Sequence, residues 1–300
     1  MTKPGAVALF TQDAELIAAL EPLRFEGEAL RLNPTSLDEH TLVVADAQKL
    51  LTPTELLKTV PASLVYWIGR GSDAEHVELI EASGLNHLLG YDLQRTPHEL
   101  SLVLRRVATT KPWGLAPYLD PGVMPDGFSI SESKREASKI SELLVQQDWS
   151  EFFDSPVEHL NLVANELVSN ALYNGPEEKR THTDYPIDRR VPVFLKGSEL
   201  VQVSLGVDSK LAALSVADCF GTLDRHKTIK SLARSFREKT VENKKGGAGL
   251  GLYLAFASAN QFIVNRKPGL RTEVICIIEK NRRYKNYKQR IKSFHFYEEA

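Results

Sequence analysis

The sequence predicts an α/β protein of two domains. The first is a doubly wound five-stranded parallel sheet, and the second mixes helices with strands in a different order. Three observations predict this. Short apolar runs alternate with helix-period segments from residue 6 to 108. A proline- and glycine-rich stretch, including Lys111-Pro112-Trp113-Gly114 and Pro121-Gly122-Val123-Met124-Pro125-Asp126-Gly127, then breaks the alternation. Beyond it, amphipathic helices are followed by paired strand-like runs and by a glycine-spaced run that opens an apolar helix. A chain of 300 residues suits two domains. The boundaries read as 1–109, a linker at 110–128, a second domain at 129–283, and a basic, aromatic tail at 284–300.

In the first domain, residues 6–10, 29–32, 42–45, 64–68 and 87–89 read as buried strands. Segments 14–23, 53–60, 74–82 and 98–107 carry apolar residues at helical spacing. The size and order resemble a response-regulator receiver domain. A working receiver holds magnesium on an acidic pair after its first strand. It carries an acceptor aspartate after the third strand, a hydroxyl after the fourth and a lysine after the fifth. Asp46 follows the third run correctly, and Asp13 supplies one acid. Thr11 and Gln12 fill the neighbouring places, Gly69 stands where the hydroxyl belongs, and Gly90-Tyr91-Asp92 stands where the lysine belongs. Two carboxylates alone make a poor magnesium site. The expectation is therefore a pseudo-receiver that docks a partner, with Asp46 a strand-end aspartate rather than a phosphorylation site.

In the second domain, 131–147 reads as an amphipathic helix, and 157–172 as another with Ser155 at its cap and Pro156 in its first turn. On the second helix Glu166, Asn170 and Asn174 recur every fourth residue and so share a face. A carboxylate and two amides are an unusual stripe for a core. Residues 201–205 and 211–217 read as neighbouring strands, and Asp218 ends the second. The run Gly246-Gly247-Ala248-Gly249-Leu250-Gly251-Leu252 then opens a helix over 253–260. Glycines let backbone N–H groups approach a ligand that side chains would block, and a helix N-terminus favours anions, so the run reads as a phosphate cradle. Thr272 begins a strand over 272–278.

These four pieces, in this order, resemble the GHKL ATP-binding fold shared by gyrase, histidine kinases and the anti-sigma-factor serine kinases. The resemblance runs over about residues 129–283 and implies an α/β sandwich of the Bergerat type for the second domain. Glu166 and Asn170 fall on its N box, Asp218 on its first glycine box, Gly247, Gly249, Leu250 and Gly251 on its second, and Thr272 on its late threonine. The resemblance implies ATP or ADP with Mg²⁺ as the cofactor. It casts Glu166 as the base that orients or deprotonates a nucleophile, and Asn170 as the metal ligand. Asn174 would lie near the phosphates, Asp218 would read the adenine amine, and Thr272 would meet Asp218. The usual Asp-x-Gly-x-Gly is here Asp218-Cys219-Phe220-Gly221-Thr222, with Gly221 its one glycine. Phe220 would lie either beside the base or in the core. Residues 223–245 are rich in Lys and Arg, which suits a lid over a triphosphate, with Lys245 or Lys244 reaching the terminal phosphate.

Histidine autophosphorylation does not fit, because the nearest histidine, His159, sits on the N-box helix and no dimerising hairpin precedes it. The compact arrangement is closer to the anti-sigma-factor kinases. The expected function is an ATP-binding bacterial signalling regulator, two-component-like, that couples nucleotide state to a partner: a sigma factor, an antagonist or another signalling protein. It would act as a serine/threonine protein kinase or weak ATPase, or alternatively as a catalytically inactive nucleotide-sensing scaffold. A homodimer stays open. The formal charge of −2 gives no nucleic-acid or membrane footprint. No apolar run reaches the length of a membrane span. The two cysteines, Cys219 and Cys276, read as buried hydrophobes in a reducing cytoplasm. The basic stretch 280–292, with Tyr284 and Tyr287 interleaved, reads as a solvated helix or a partner-binding arm.

Overall fold

The structure is a computed structural model, and it describes residues 3–46, 52–109, 113–133, 136–176, 191–197, 199–238 and 250–299. The chain forms two compact units. One comprises Met1–Pro112 with Ile291–Tyr297; the other comprises Trp113–Arg290 with Glu298–Ala300. Both are mixed α/β, as the alternating pattern predicts. Among the described residues no helix is long and apolar enough to cross a membrane.

The first unit contains, in chain order, β1 (Ala6–Phe10), α1 (Ala14–Leu20), β2 (Arg24–Phe25), β3 (Glu28–Ala29), β4 (Arg31–Leu32), β5 (Thr41–Asp46), α2 (Pro53–Leu56), β6 (Val65–Gly69), α3 (Asp73–Ser83), β7 (His87–Gly90) and α4 (Thr96–Ala108). The order β4-β1-β5-β6-β7 is parallel throughout. The order reverses at β1, the switch point of doubly wound sheets. Strands β5, β6 and β7 are buried along their whole length, which is why they read as unbroken apolar runs. Helix ends follow local chemistry. Asp13 accepts the Glu15 and Leu16 amides to cap α1, and Ser72 with Glu75 forms a capping box on α3. Gly84, at φ +85°, turns the chain out of α3.

Two expectations need correction here. Residues 29–32 are not a buried strand: β3 and β4 are two residues each and exposed, and only β4 joins the parallel sheet, at its edge. Nor do the last residues form a free tail. A further strand, which becomes β13 (Ser293–Glu298) in chain order, pairs antiparallel with β7 through Phe294↔Leu88 and His295↔His87. Phe294, Phe296 and Tyr297 are buried there. Tyr66 stacks on His87 at 4.3 Å, and the Arg106 guanidinium covers the Tyr297 ring at 4.3 Å.

The second unit holds β8 (Asp126–Ile130), α5 (Glu136–Val145), α6 (Pro156–Tyr173), β9 (Val201–Val207), β10 (Leu211–Asp218), α7 (Arg225–Glu238), α8 (Leu250–Ala257), β11 (Gln261–Lys267), β12 (Arg271–Glu279) and α9 (Tyr284–Gln289). Its sheet is antiparallel, in the order β11-β12-β10-β9-β8. Antiparallel partners point their side chains to one face, so β10 and β12 present two distinct rows. Cys276 donates to the Ala255 carbonyl of α8, so its row, which includes Asp218 and Thr272, faces the helices. The opposite row carries Ser215 and Glu273. The residues expected as linker cover that face: Gly114 N–H donates to both Glu273 oxygens, and Leu115, Tyr118 and Leu119 are buried. Leu119 fits against Gly206, where a Cβ would lie 2.4 Å from its methyl. The linker expectation also hides β8, whose Asp126 and Gly127 are poor strand formers. Pairing with β9 overrides that propensity, and Gly127 lets the Val203 carbonyl approach.

Candidate functional site

Helix α6, the longest among the described residues, organises the site. Its apolar residues Leu160, Val163, Ala164, Leu167, Val168 and Ala171 are buried, which turns the Glu166–Asn170–Asn174 stripe away from the centre of the core. Glu166 and Asn170 are half-buried and Asn174 is exposed. Asn174 Nδ2 donates to Asn170 Oδ1 at 3.1 Å, which fixes the orientation of that amide. The N-terminus of α8, where Leu250 is the first helical residue, meets this stripe. A Cβ on Gly251 would lie 2.4 Å from Glu166 Oε2 and 3.3 Å from Asn170 Nδ2. Only a glycine allows the backbone there to come so close to the carboxylate.

The C-terminal end of α6 leads to the second part of the site. Phe220 is buried against Gly175, where a Cβ would lie 2.6 Å from its ring, and Thr222 Oγ1 donates to the Gly175 carbonyl at 3.1 Å. Phe220 is therefore a core aromatic. This packing seats the turn after β10 beside α6. Within the turn, Asp218 Oδ1 accepts the Phe220 amide at 2.8 Å and the Gly221 amide at 3.4 Å. Gly221 has φ +67°, and a Cβ there would lie 2.2 Å from the Lys267 carbonyl. Thr272, buried, stands directly opposite Asp218 in the β10–β12 register. Burial pushes the Asp218 carboxyl up to about 6, against the opposing pull of the Phe220, Gly221 and Thr272 donors.

The structure thus brings Glu166, Asn170 and Gly251 together, and Asp218, Gly221 and Thr272 together, along one helix. Lys245, Gly247 and Gly249 lie outside the described residues, as does Lys244. The lid expected over 223–245 needs revision in its first part. Residues 225–238 form the packed helix α7, with Ile229, Leu232 and Ala233 buried and Phe236 edge-on to Tyr253 of α8 at 5.1 Å. Its exposed face carries Lys227, Lys230, Arg234 and Arg237, the ordinary result of amphipathic packing. His159 Nδ1 donates to the Ser155 carbonyl at 2.9 Å, and the ring packs against Phe153 and Tyr284.

A second cluster lies at the C-terminal ends of the first unit's strands. Asp46 is fully buried and accepts Thr11 Oγ1 at 3.1 Å. Arg70, just past β6, donates Nε to Asp46 Oδ1 at 3.0 Å and Nη2 to Asp46 Oδ2 at 2.8 Å, and also bonds Asp13. Its guanidinium lies 3.5 Å above the Tyr91 ring, and Tyr91 Oη donates to Asp13. The Arg70 hydrogen bond pulls the Asp13 carboxyl down to about 2. His76 sets the turn that carries Arg70: its Nε2 accepts the Gly71 amide at 3.1 Å, and its ring fills the space beside Gly69. The carboxylates that a metal would need are thus already neutralised by a cation of the chain itself. Sequence reasoning noticed the acids and missed Arg70, although a lone cation between Gly69 and Gly71 after a buried run was a legible signal. Among the described residues, no group of three or more His, Cys, Asp or Glu side chains is arranged to hold a metal ion.

No family model matches the chain, and no curated protein matches it.

Proposed function

We propose that the second unit binds ATP or ADP with Mg²⁺, and that the protein is a bacterial signalling regulator. It would couple nucleotide state to the binding or phosphorylation of a partner protein, as the anti-sigma-factor serine kinases it resembles do. The observation that carries this reading is the meeting of Gly251 with Glu166 and Asn170. Two segments about 80 residues apart in sequence meet there, which supports their reading as the N box and second glycine box, and the contact does not follow from helix periodicity.

The donor set suits the cofactor. One carboxylate and one amide oxygen beside a glycine-opened helix match a cation that takes few protein oxygens and keeps phosphate oxygens and waters. Asn170 would hold the metal, and Asn174 would keep its amide aligned. Lys245, Gly247 and Gly249 would meet the phosphates. Asp218 would accept from the adenine amine, with Gly221 and Thr272 fixing its turn. When bound, Mg-ATP supplies the phosphoryl group to be transferred. Glu166 would take the proton from a partner hydroxyl or a water.

The parallel order β4-β1-β5-β6-β7 and the Arg70 clasp support reading the first unit as a pseudo-receiver that docks a partner without phosphorylation. That clasp, with Phe220 filling the turn where the family carries glycine, also favours a second reading: a nucleotide-sensing scaffold without catalysis. Incubation of the purified protein with labelled Mg-ATP decides between them. Transfer or hydrolysis that falls two to four decades in Glu166→Ala, with binding retained, supports the enzyme. Binding without turnover in the wild type supports the scaffold.

A further inference from the structure

The turn that would read the base is gripped by Arg266 of β11, which Glu298 holds in turn. Arg266 on β11 faces Thr272 on β12, which in turn faces Asp218 on β10, so the three side chains share one face in adjacent strands. Arg266 Nε donates to the Gly221 carbonyl at 2.9 Å, and the Gly269 amide approaches the same oxygen at 3.4 Å. Gly221 is the residue whose own amide, with that of Phe220, aims the Asp218 carboxylate. Arg266 therefore holds the far side of the peptide turn that orients Asp218.

The other edge of the guanidinium is taken. Arg266 Nη1 donates to Glu298 Oε2 at 2.6 Å. The backbone joins in: the Glu299 amide donates to the Arg266 carbonyl at 2.8 Å. The Glu299 carboxylate accepts Lys267 Nζ and Trp113 Nε1, each at 3.0 Å. Glu298 is about half exposed, and a lone exposed ion pair contributes little, because ordering two side chains offsets the attraction. Here the backbone bond between Glu299 and Arg266 and the anchored Glu299 carboxylate supply part of that ordering.

We propose that Arg266 is a positioning residue for the Asp218 turn, and that Glu298, by holding its guanidinium, raises nucleotide affinity at that turn. The coupling to nucleotide rests on the proposed function; the positioning of the turn does not.

The test uses the full chain and three variants: Glu298→Gln, which keeps shape and loses charge, Glu298→Asp, which keeps the charge, and Arg266→Gln. Hydrogen exchange of a peptide spanning 217–224 is read first without nucleotide. Exchange should quicken about three- to tenfold in Glu298→Gln and at least as much in Arg266→Gln, with Glu298→Asp near wild type and thermal midpoints unchanged in the Glu298 variants. ADP, titrated calorimetrically, should bind about three- to tenfold more weakly to Glu298→Gln. Unchanged exchange at 217–224 in both Glu298→Gln and Arg266→Gln would overturn the positioning role. A loosened turn with unchanged ADP affinity would overturn the coupling. Absence of ADP binding to the wild type would sink the proposed function, while the exchange measurement would still decide the role of Arg266.

Discussion

Two glycines of the candidate site respond oppositely to the same added methyl group, and the geometry says why. In Gly251→Ala the new Cβ would meet Glu166 Oε2 at 2.4 Å, the far end of a flexible side chain. Rotation of Glu166 relieves the clash at little cost, and alanine in a helix recovers up to about 1 kcal/mol relative to glycine. Stability should stay within about 1 kcal/mol of wild type, yet the carboxylate and the adjoining Asn170 amide are displaced. In Gly221→Ala the Cβ would meet backbone atoms, Lys267 O at 2.2 Å, Gly269 N at 2.6 Å and Leu270 N at 2.7 Å, at a φ of +67°. Left-handed strain of about 1–2 kcal/mol and overpacking of about 1–3 kcal/mol give a loss of roughly 2–5 kcal/mol. That corresponds to a fall of roughly 5–15 °C in melting temperature for a unit of this size. Thermal unfolding by circular dichroism, followed by ATP titration at 20 °C, reads both effects. Gly251→Ala should melt with the wild type and lose nucleotide affinity; Gly221→Ala should melt early. Equal melting of the two variants, or wild-type affinity in Gly251→Ala, would refute the reasoning.

Other outcomes follow from the same contacts. Arg70→Ala leaves the buried Asp46 carboxylate without its guanidinium and should cost about 3–5 kcal/mol, read as an early unfolding step of the first unit; a neutral result would mean the clasp does not hold those loops. In the wild type, Asp46 should gain no phosphate from a small phosphodonor with Mg²⁺, and a mass adduct lost in Asp46→Asn would contradict this. Because burial raises the Asp218 carboxyl from 3.8 to about 6, the folded state binds its proton more tightly than the unfolded chain. Its charge therefore costs stability above pH 6, and that cost fades as pH falls toward 4. Asp218→Asn should raise the melting temperature at pH 7.5, have no such effect at pH 4, and weaken adenine binding; a destabilised variant at pH 7.5 would reverse the assignment. Asn170→Ala should lose Mg²⁺-dependent binding while Glu166→Ala keeps it, and equal small effects would make the helix face mere scaffold.

Period and order made much of this legible. The unbroken apolar runs of β5, β6 and β7 and the fourfold spacing of Glu166, Asn170 and Asn174 have local causes, and local patterns report them. What stayed hidden depends on partners distant in sequence. Gly127 and Asp126 are strand residues because β9 lies beside them, not through any propensity of their own. Residues 293–298 hold the strand formers Phe294, Phe296 and Tyr297, but nothing in the basic segment before them says that they pair with β7. Trp113 and Gly114 look like linker until Glu273 and Glu299 are seen to bind them. Arg266 is an ordinary strand-end cation until register places it beside Thr272 and under Gly221. The candidate residues were readable from their types and spacing, whereas the contacts that position them belong to the sheet.

Nucleotide recognition by the second unit underlies the proposed function, and isothermal calorimetry of the full chain with ATP and ADP, with and without Mg²⁺, measures it. Affinity should be micromolar, about −8 kcal/mol, strengthened by Mg²⁺ and weakened in Asp218→Asn and Gly251→Ala. No heat of binding for either nucleotide to folded wild-type protein would contradict it.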